Sequence, residues 1–148
     1  MHTIEAVRRP AVSIAGDRTV RDAAVLMEES GVGALAVMDG KQLVGVVTDR
    51  DLVRRGIAKD VPADARIDSI MSTPVVQIGA DADLHLAFAL FRSNAIRRLP
   101  VVRDDQLVGM ISVDDLLIDL AGDLADLARP VTGEAVFGQH DAPVPAPS

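Results

Sequence analysis

The chain has 148 residues, enough for one compact domain, with 49% hydrophobic and 25% charged residues. Its formal net charge of −7 argues against broad electrostatic attraction to nucleic acid or anionic lipid, and the absence of cysteine excludes disulfides and thiolate chemistry. Because it contains neither a membrane-length apolar run nor an apolar N-terminal signal, we expect a cytoplasmic protein that binds neither membrane nor nucleic acid.

The first predicted elements are a short strand and an amphipathic helix. The strand is Pro10–Ile14, and the helix follows Thr19, which precedes apolar residues spaced by three and four. Asp22 stands three residues after Thr19, in the pattern of an N-terminal capping box. Ser30 and Gly31 mark the expected end of this helix.

A hairpin and a second helix are predicted next. Ala34–Met38 and Leu43–Thr48 are apolar runs separated by a turn that contains Gly40, which is typical of two paired strands. Nearly continuous apolar strands belong to a sheet that is covered on both faces. A helix is expected from Thr48 towards Lys59. The order is therefore strand, helix, strand, strand, helix.

This order occurs twice, at an offset of 64 residues. Between Pro10 and Val53 the chain matches its own later sequence at 14 of 44 positions without a gap. Two copies of this length indicate a duplicated half-domain closed about a pseudo-twofold axis. The predicted fold is therefore α+β, with tandem βαββα repeats at residues 7–60 and 67–121 and a C-terminal helix end and Pro-rich tail at residues 122–148.

The second copy departs from the first in its helices. The helix beginning near Leu84 is apolar around most of its circumference, which predicts burial on more than one side and a possible subunit interface. The last helix continues past the repeat with a stripe of leucines that either covers the core or pairs with a second subunit. Self-association as a homodimer is expected. After Pro130 the chain is expected to form an extension that buries little.

A hydroxyl residue precedes a carboxylate by three positions in both copies. The pairs are Thr48 with Asp51 and Ser112 with Asp115. One interpretation is a capping box that stabilises the helix start. The other is ligand binding, in which the helix start and hydroxyl meet a phosphate and the carboxylate accepts from both hydroxyls of a ribose. The residues alone leave both interpretations open.

The sequence around these pairs resembles a known family. GALAVMDGKQLVGVVTDRDLV and IRRLPVVRDDQLVGMISVDDLL are similar to the two halves of a CBS-domain pair, a regulatory module named after cystathionine beta-synthase. The resemblance covers about residues 7–121. It implies two βαββα repeats packed sheet against sheet, with two crevices that commonly hold AMP, ADP, ATP or S-adenosylmethionine.

The same resemblance implies roles for the paired residues. The family's element of glycine, two apolar residues, Ser or Thr, two further residues and Asp matches both copies in full. Thr48 and Ser112 would lie near phosphate or ribose oxygens, and Asp51 and Asp115 would bind ribose hydroxyls.

Further residues are implied by position in the family. Arg98 matches a position that often meets phosphate and would serve the crevice of Thr48, with Arg97 beside it as a weaker candidate. The first repeat has Ala34 at the place of Arg98, so the crevice of Ser112 and Asp115 should lack this cation and the two crevices should differ. Val12 and Val76, on the early strands, would lie beside adenine, although a role in the core explains them equally well.

The expected function is that of a stand-alone regulatory or energy-sensing CBS pair that binds an adenosine-containing ligand and acts on an unidentified regulated protein. No catalytic residue, cofactor or metal site is expected, because His2, His85 and His140 lack metal-ligand spacing and the common nucleophile and nucleotide-loop motifs are missing. The alternative is a ligand-free interaction scaffold of the same fold, in which both hydroxyl–acid pairs are only caps.

Overall fold

The computed structural model describes residues 3–139, and for residues 129–139 it describes the backbone only. The first half consists of three strands and three helices. In chain order they are α1 (Ile4–Val7), β1 (Ser13–Ala15), α2 (Val20–Ser30), β2 (Ala34–Asp39), β3 (Gln42–Thr48) and α3 (Asp49–Asp51). The helical path after α3 continues as a π-helical turn at Leu52–Gly56 and a 3₁₀ turn at Ile57–Lys59.

The second half repeats this plan after a 3₁₀ turn at Ile67–Ser69. Its remaining elements are β4 (Ile78–Gly79), α4 (Leu84–Asn94), β5 (Arg98–Arg103), β6 (Gln106–Ser112) and α5 (Val113–Gln139). Each half therefore contains the predicted order of strand, helix, strand, strand and helix, and the α+β fold of tandem βαββα repeats is confirmed.

Each half builds one three-stranded sheet. The strand orders are β1-β2-β3 and β4-β5-β6, and in each sheet the first pair is parallel and the second pair is antiparallel. The middle strands β2 and β5 are buried along most of their length, as the continuous apolar runs predicted. Tight turns close both hairpins, and Gly40 adopts a left-handed φ of 62° in the first.

The segment that precedes each first strand crosses to the other half. Arg9 exchanges two backbone hydrogen bonds of 2.9 Å with Met110 of β6, and Ser72 does the same with Val46 of β3 at 2.8 and 3.3 Å. The two halves are therefore joined by reciprocal strand additions, because each sheet gains a short bridge from the leading segment of the other repeat.

The hydrophobic cores show the same exchange. Ile4 of α1 is fully buried among second-half residues such as Leu99 and Ile111, whereas Ile67 is fully buried in the first-half core with Leu35 and others. Burial of a whole isoleucine side chain contributes about 1.5–3 kcal/mol. Neither core is complete without a residue from outside its own βαββα unit.

Glycines permit the crossing segments to approach. A β-carbon added at Gly109 would lie 2.8 Å from the backbone oxygen of Arg9. One added at Gly45 would lie 2.6 Å from Sδ of Met71 and 3.0 Å from the backbone oxygen of Ser72. The glycine in each copy of the hydroxyl–acid element is thus required by chain packing, whatever the element binds.

Several expected boundaries differ from the structure. Both early strands are shorter than predicted: they begin at Ser13 and Ile78, a few residues after Pro10 and Pro74, which have no N–H to donate to a strand ladder. Helix α1 was not predicted, since four residues are too few for a recognisable apolar period. The helix expected from Thr48 is irregular after Asp51, and the backbone of α5 continues through Pro130 to Gln139 where an extension was expected.

The end of the Pro-rich tail, residues 140–148, lies outside the described residues. Helix α4 buries Leu84, Ala87 and Phe91 on one face and leaves Leu86 47% exposed on another. Among the described residues, no helix combines the length and apolarity needed to cross a membrane.

Candidate functional site

The first candidate site is formed by Thr48 and Asp51, where β3 passes into α3. The Thr48 hydroxyl accepts from the backbone N–H of Asp51 at 3.1 Å, and Asp51 Oδ2 accepts from the backbone N–H of Thr48 at 2.9 Å. The other carboxylate oxygen, Oδ1, lies 3.9 Å from Nε of Arg55. The capping interpretation is therefore correct, and one oxygen of Asp51 still lacks a close partner among the described contacts.

The second candidate site is formed by Ser112 and Asp115, where β6 passes into α5. The same two hydrogen bonds are present, at 3.1 Å to the Ser112 hydroxyl and 3.2 Å to Oδ2 of Asp115. Here Oδ1 accepts a 2.8 Å hydrogen bond from Nε of Arg9. The two sites share their backbone geometry and differ in what meets the outer carboxylate oxygen.

Arg98 reaches from the second half towards the first candidate site. It pairs with Ser112 across the β5–β6 ladder, yet its guanidinium lies beside Gly33 and Asp49. A β-carbon at Gly33 would lie 3.2 Å from Nη2 of Arg98 and 2.9 Å from Oδ2 of Asp49. Because Asp49 directly follows Thr48, the cation stands near the first site, where the resemblance placed it.

Arg9 brings a cation to the second candidate site, and sequence reasoning missed it. The sequence predicted no arginine here because the position that matches Arg98 holds Ala34, and the structure shows Ala34 buried. Arg9 arrives instead on the crossing segment. Only the pairing of Arg9 with Met110 brings it there, and no local pattern predicts that pairing.

The remaining predicted residues occupy less specific places. Arg97 lies on the side of the second site, where Nη2 bonds Oδ1 of Asp114 at 3.0 Å, and it is 60% exposed. Val12 and Val76 are half-buried and pack against the first-half and second-half cores, just before the early strands rather than on them.

A cavity of about 250 Å³ opens at the second candidate site. Its lining includes Arg9 and Asp115 together with Val7 of α1 and Ile118 of α5. Two larger cavities, of about 380 and 530 Å³, contain no predicted site residue. Across the described part of the chain, no group of three or more His, Asp or Glu side chains is arranged to hold a metal ion.

Comparison with known proteins decides the family. The sequence model of the CBS domain matches residues 4–57 and again residues 67–122, and together these ranges cover more than half of the chain. The chain belongs to the CBS-domain family. It contains a CBS pair, and the matches begin at α1 and at the turn after residue 66, the two segments that complete the core of the opposite half.

Relatives and solved structures agree with this assignment. The CBS pair is 41% identical to YlbB of Bacillus subtilis over 99 residues, which is 66% of this chain and 67% of YlbB. It superposes with a TM-score of 0.77 on a putative signal-transduction protein with CBS domains from Burkholderia ambifaria, 29% identical over 82% of this chain and 96% of that one. It also superposes with a TM-score of 0.72 on the CBS domain protein PAE2072 of Pyrobaculum aerophilum, whose structure is a complex with AMP. The two are 27% identical, over 82% of this chain and 99% of PAE2072.

Proposed function

We propose that this CBS pair is a regulatory module that binds an adenosine-containing ligand of the AMP, ADP or ATP class at the two candidate sites. The observation that carries this proposal is that the guanidinium of Arg98 from one half lies beside Asp49, two residues before Asp51 of the other half. A carboxylate accepts from ribose hydroxyls, and a guanidinium pairs with phosphate oxygens. Each half supplies one of the two groups, so ligand binding would depend on how the halves are arranged.

Two further observations support this proposal. Oδ1 of Asp51 forms no hydrogen bond within the described contacts, and the nearest cation, Nε of Arg55, lies 3.9 Å away, so a ribose hydroxyl can bond this oxygen without breaking a protein hydrogen bond. The Arg98 guanidinium forms no ion pair or hydrogen bond among residues 3–128, whose side chains the structure describes. The AMP complex of PAE2072, 27% identical, indicates the ligand class to examine first.

Regulation requires that the ligand bind two arrangements of the protein with different affinity, because a ligand with equal affinity for both shifts neither. We propose that an unidentified partner protein reads this shift and that the CBS pair itself catalyses no reaction. An energy-sensing role requires AMP and ATP to compete for the same site with different effects. Competition between the two nucleotides in a binding assay tests that part directly.

A thermal-shift titration with AMP, ADP, ATP and S-adenosylmethionine tests the ligand proposal. A ligand that binds only the folded state stabilises it by RT ln(1 + [L]/Kd), about 2.7 kcal/mol at one hundred times Kd. We expect a dose-dependent rise with at least one nucleotide, and a smaller rise in Arg98→Ala. The exposed Arg92 on α4 gives the matched control, Arg92→Ala, which should respond like the unaltered protein.

The interaction-scaffold alternative is favoured by one observation. Both hydroxyl–acid pairs are fully formed capping boxes, which accounts for these residues without any ligand. This alternative predicts no thermal shift with any of the four compounds at millimolar concentration. Such a result would overturn the ligand proposal and leave protein partners as the function.

We further propose that the protein self-associates as a homodimer. Large apolar side chains are exposed on helical segments of both halves, and their burial against a second subunit would remove apolar surface from water. Sedimentation analysis should then give a mass near twice 15.6 kDa, whereas a monomer mass at micromolar concentration would contradict the proposal. The exposed residues are Val25, Val53, Ile57, Leu86, Leu117, Ile118, Leu124 and Leu127.

A further inference from the structure

The backbone of Arg9 is held in place beside the second candidate site. Its N–H and C=O both bond Met110 of β6 at 2.9 Å, and its oxygen closes against Gly109. Arg9 therefore occupies a fixed position at the edge of the second-half sheet. It lies opposite Met110, which is two residues before Ser112 in β6. The backbone of Arg9 therefore needs no further ordering when a ligand binds.

The guanidinium of Arg9 is only partly used by the protein. Nε bonds Oδ1 of Asp115, and this hydrogen bond raises the pKa of Arg9. Within the described contacts, neither terminal nitrogen of Arg9 is engaged, and the side chain is 70% exposed. The neighbouring Arg8 is different, because its terminal nitrogens bond Glu5 and the backbone oxygen of Val108. Asp115 thus orients Arg9 and leaves its outer N–H groups facing solvent.

The adjoining cavity has room for one end of a nucleotide and one cationic side chain in its lining. Its volume of about 250 Å³ is below the ~300–1,000 Å³ typical of sites that enclose a whole ligand. Asp115 and Asp119 also line it, so Arg9 supplies the positive charge there. The Arg9 guanidinium lies 2.8 Å from the carboxylate of Asp115 that is proposed to bind ribose, so a single nucleotide can meet both groups, with its phosphate on Arg9.

We propose that Arg9 is the phosphate-binding residue of the second candidate site and makes this site select phosphorylated adenosine ligands over adenosine. The inference rests on the proposed function. At the second site Arg9 takes the role for which the first repeat offers only Ala34 at the position that matches Arg98. The two sites then bind the same class of ligand with cations from different parts of the chain: β5 for the first and the crossing segment for the second.

The test isolates the second site and compares charged with uncharged ligands. Asp51→Asn replaces the carboxylate proposed to accept from ribose at the first site, so the remaining binding is that of the second site. If circular dichroism shows that Asp51→Asn is unfolded, Arg98→Ala serves as the background instead. In the folded background, calorimetric titration measures the affinity for AMP, ADP, ATP and adenosine, with and without Arg9→Ala. Arg18→Ala is the matched control, because Arg18 is 61% exposed and bonds the capping-box carboxylate of Asp22 through Nε at 3.0 Å.

We expect Arg9→Ala to weaken nucleotide binding about tenfold, the loss of one charge-assisted hydrogen bond, and to change adenosine binding less than about twofold. Arg9→Lys should restore part of the loss because it keeps the charge. The inference would be overturned if Arg9→Ala weakened the binding of nucleotides and adenosine equally. It would also be overturned if both bound more tightly because Asp115 had lost its partner. The absence of nucleotide binding in the folded background would overturn it as well.

Failure of the inference and failure of the proposed function give different results. If neither nucleotides nor adenosine bind the unaltered protein, the proposed function is wrong and the role of Arg9 is wrong with it. If nucleotides bind the unaltered protein and Arg9→Ala leaves their preference over adenosine unchanged, only the role of Arg9 is wrong.

Discussion

The two halves of this protein share one plan, but they place charge at their candidate sites in different ways. In the first site, Asp49 and the guanidinium of Arg98 meet beside Gly33. At the matching places of the second site stand Val113 and Ala34, and the cation is Arg9 instead. Duplication thus conserves the backbone that holds each carboxylate, while the cations beside the carboxylates are free to differ.

The largest losses of stability are expected from replacing the isoleucine that each leading segment places in the core of the other half. Ile4→Ala and Ile67→Ala each empty a fully buried position in the opposite core, so we expect losses of about 2–5 kcal/mol in the free energy of unfolding. Urea unfolding measures both. The control Arg92→Ala, at an exposed side chain of α4, should change stability by less than about 0.5 kcal/mol. Near-neutral results at Ile4 and Ile67 would refute the reciprocal exchange.

Substitution of Gly45 and Gly109, which occupy matching positions in the two halves, compares how closely each crossing segment approaches its sheet. Gly109→Ala places a β-carbon 2.8 Å from the backbone oxygen of Arg9. At Gly45 the 2.6 Å contact is with the flexible Met71 side chain, and the backbone oxygen of Ser72 lies farther away, at 3.0 Å. We expect Gly109→Ala to cost about 1–3 kcal/mol of unfolding free energy and Gly45→Ala to cost less. Urea midpoints measured side by side test the order. A larger loss at Gly45 would contradict the account of the crossing segments.

Removing the cap hydroxyls should affect both halves alike. Thr48→Ala and Ser112→Ala each delete one acceptor for a backbone N–H at a helix start, which costs about 1 kcal/mol. Thr48→Ser keeps the acceptor and serves as the control. If either alanine variant is as stable as the unaltered protein, its hydroxyl is not an effective cap and a role in ligand binding alone would explain it.

The smallest effect expected is a pH dependence at the cap of α2. The hydrogen bond from Arg18 and the capping bonds to Thr19 lower the pKa of Asp22 from 3.8 to about 2. Since the folded-state pKa is the lower one, this stabilisation is present above pH 4 and is lost as the pH falls towards 2. Thermal melts from pH 5 to pH 2 should show a smaller decline in Asp22→Asn. An identical decline in both proteins would exclude the effect.

Much of this fold could be predicted because its signals are local and occur twice. The capping box of Thr19 and Asp22, the left-handed end of α2 at Gly31 and both hairpins follow from residue types at fixed spacings. The repeat then supplied the topology. The domain boundaries predicted from it remain predictions.

Other features could not be predicted because they depend on contacts between distant segments. Helix α1 is stabilised by the entry of Ile4 into the core of the other half, and four residues give no periodic signal. The place of Arg9 depends on a strand bridge to a residue about one hundred positions later. The ligand roles of the candidate site residues likewise remain predictions, since a satisfied cap and a ribose-binding carboxylate have the same sequence.

Counting ligand sites by titration calorimetry tests the central claim most directly. The nucleotide that gives the largest thermal shift is titrated into the unaltered protein, Asp51→Ala and Asp115→Ala, each confirmed as folded by circular dichroism. We predict that each variant loses one class of site and that the double variant loses both. Nucleotide binding that is undiminished in both single variants would show that these carboxylates do not hold the ligand.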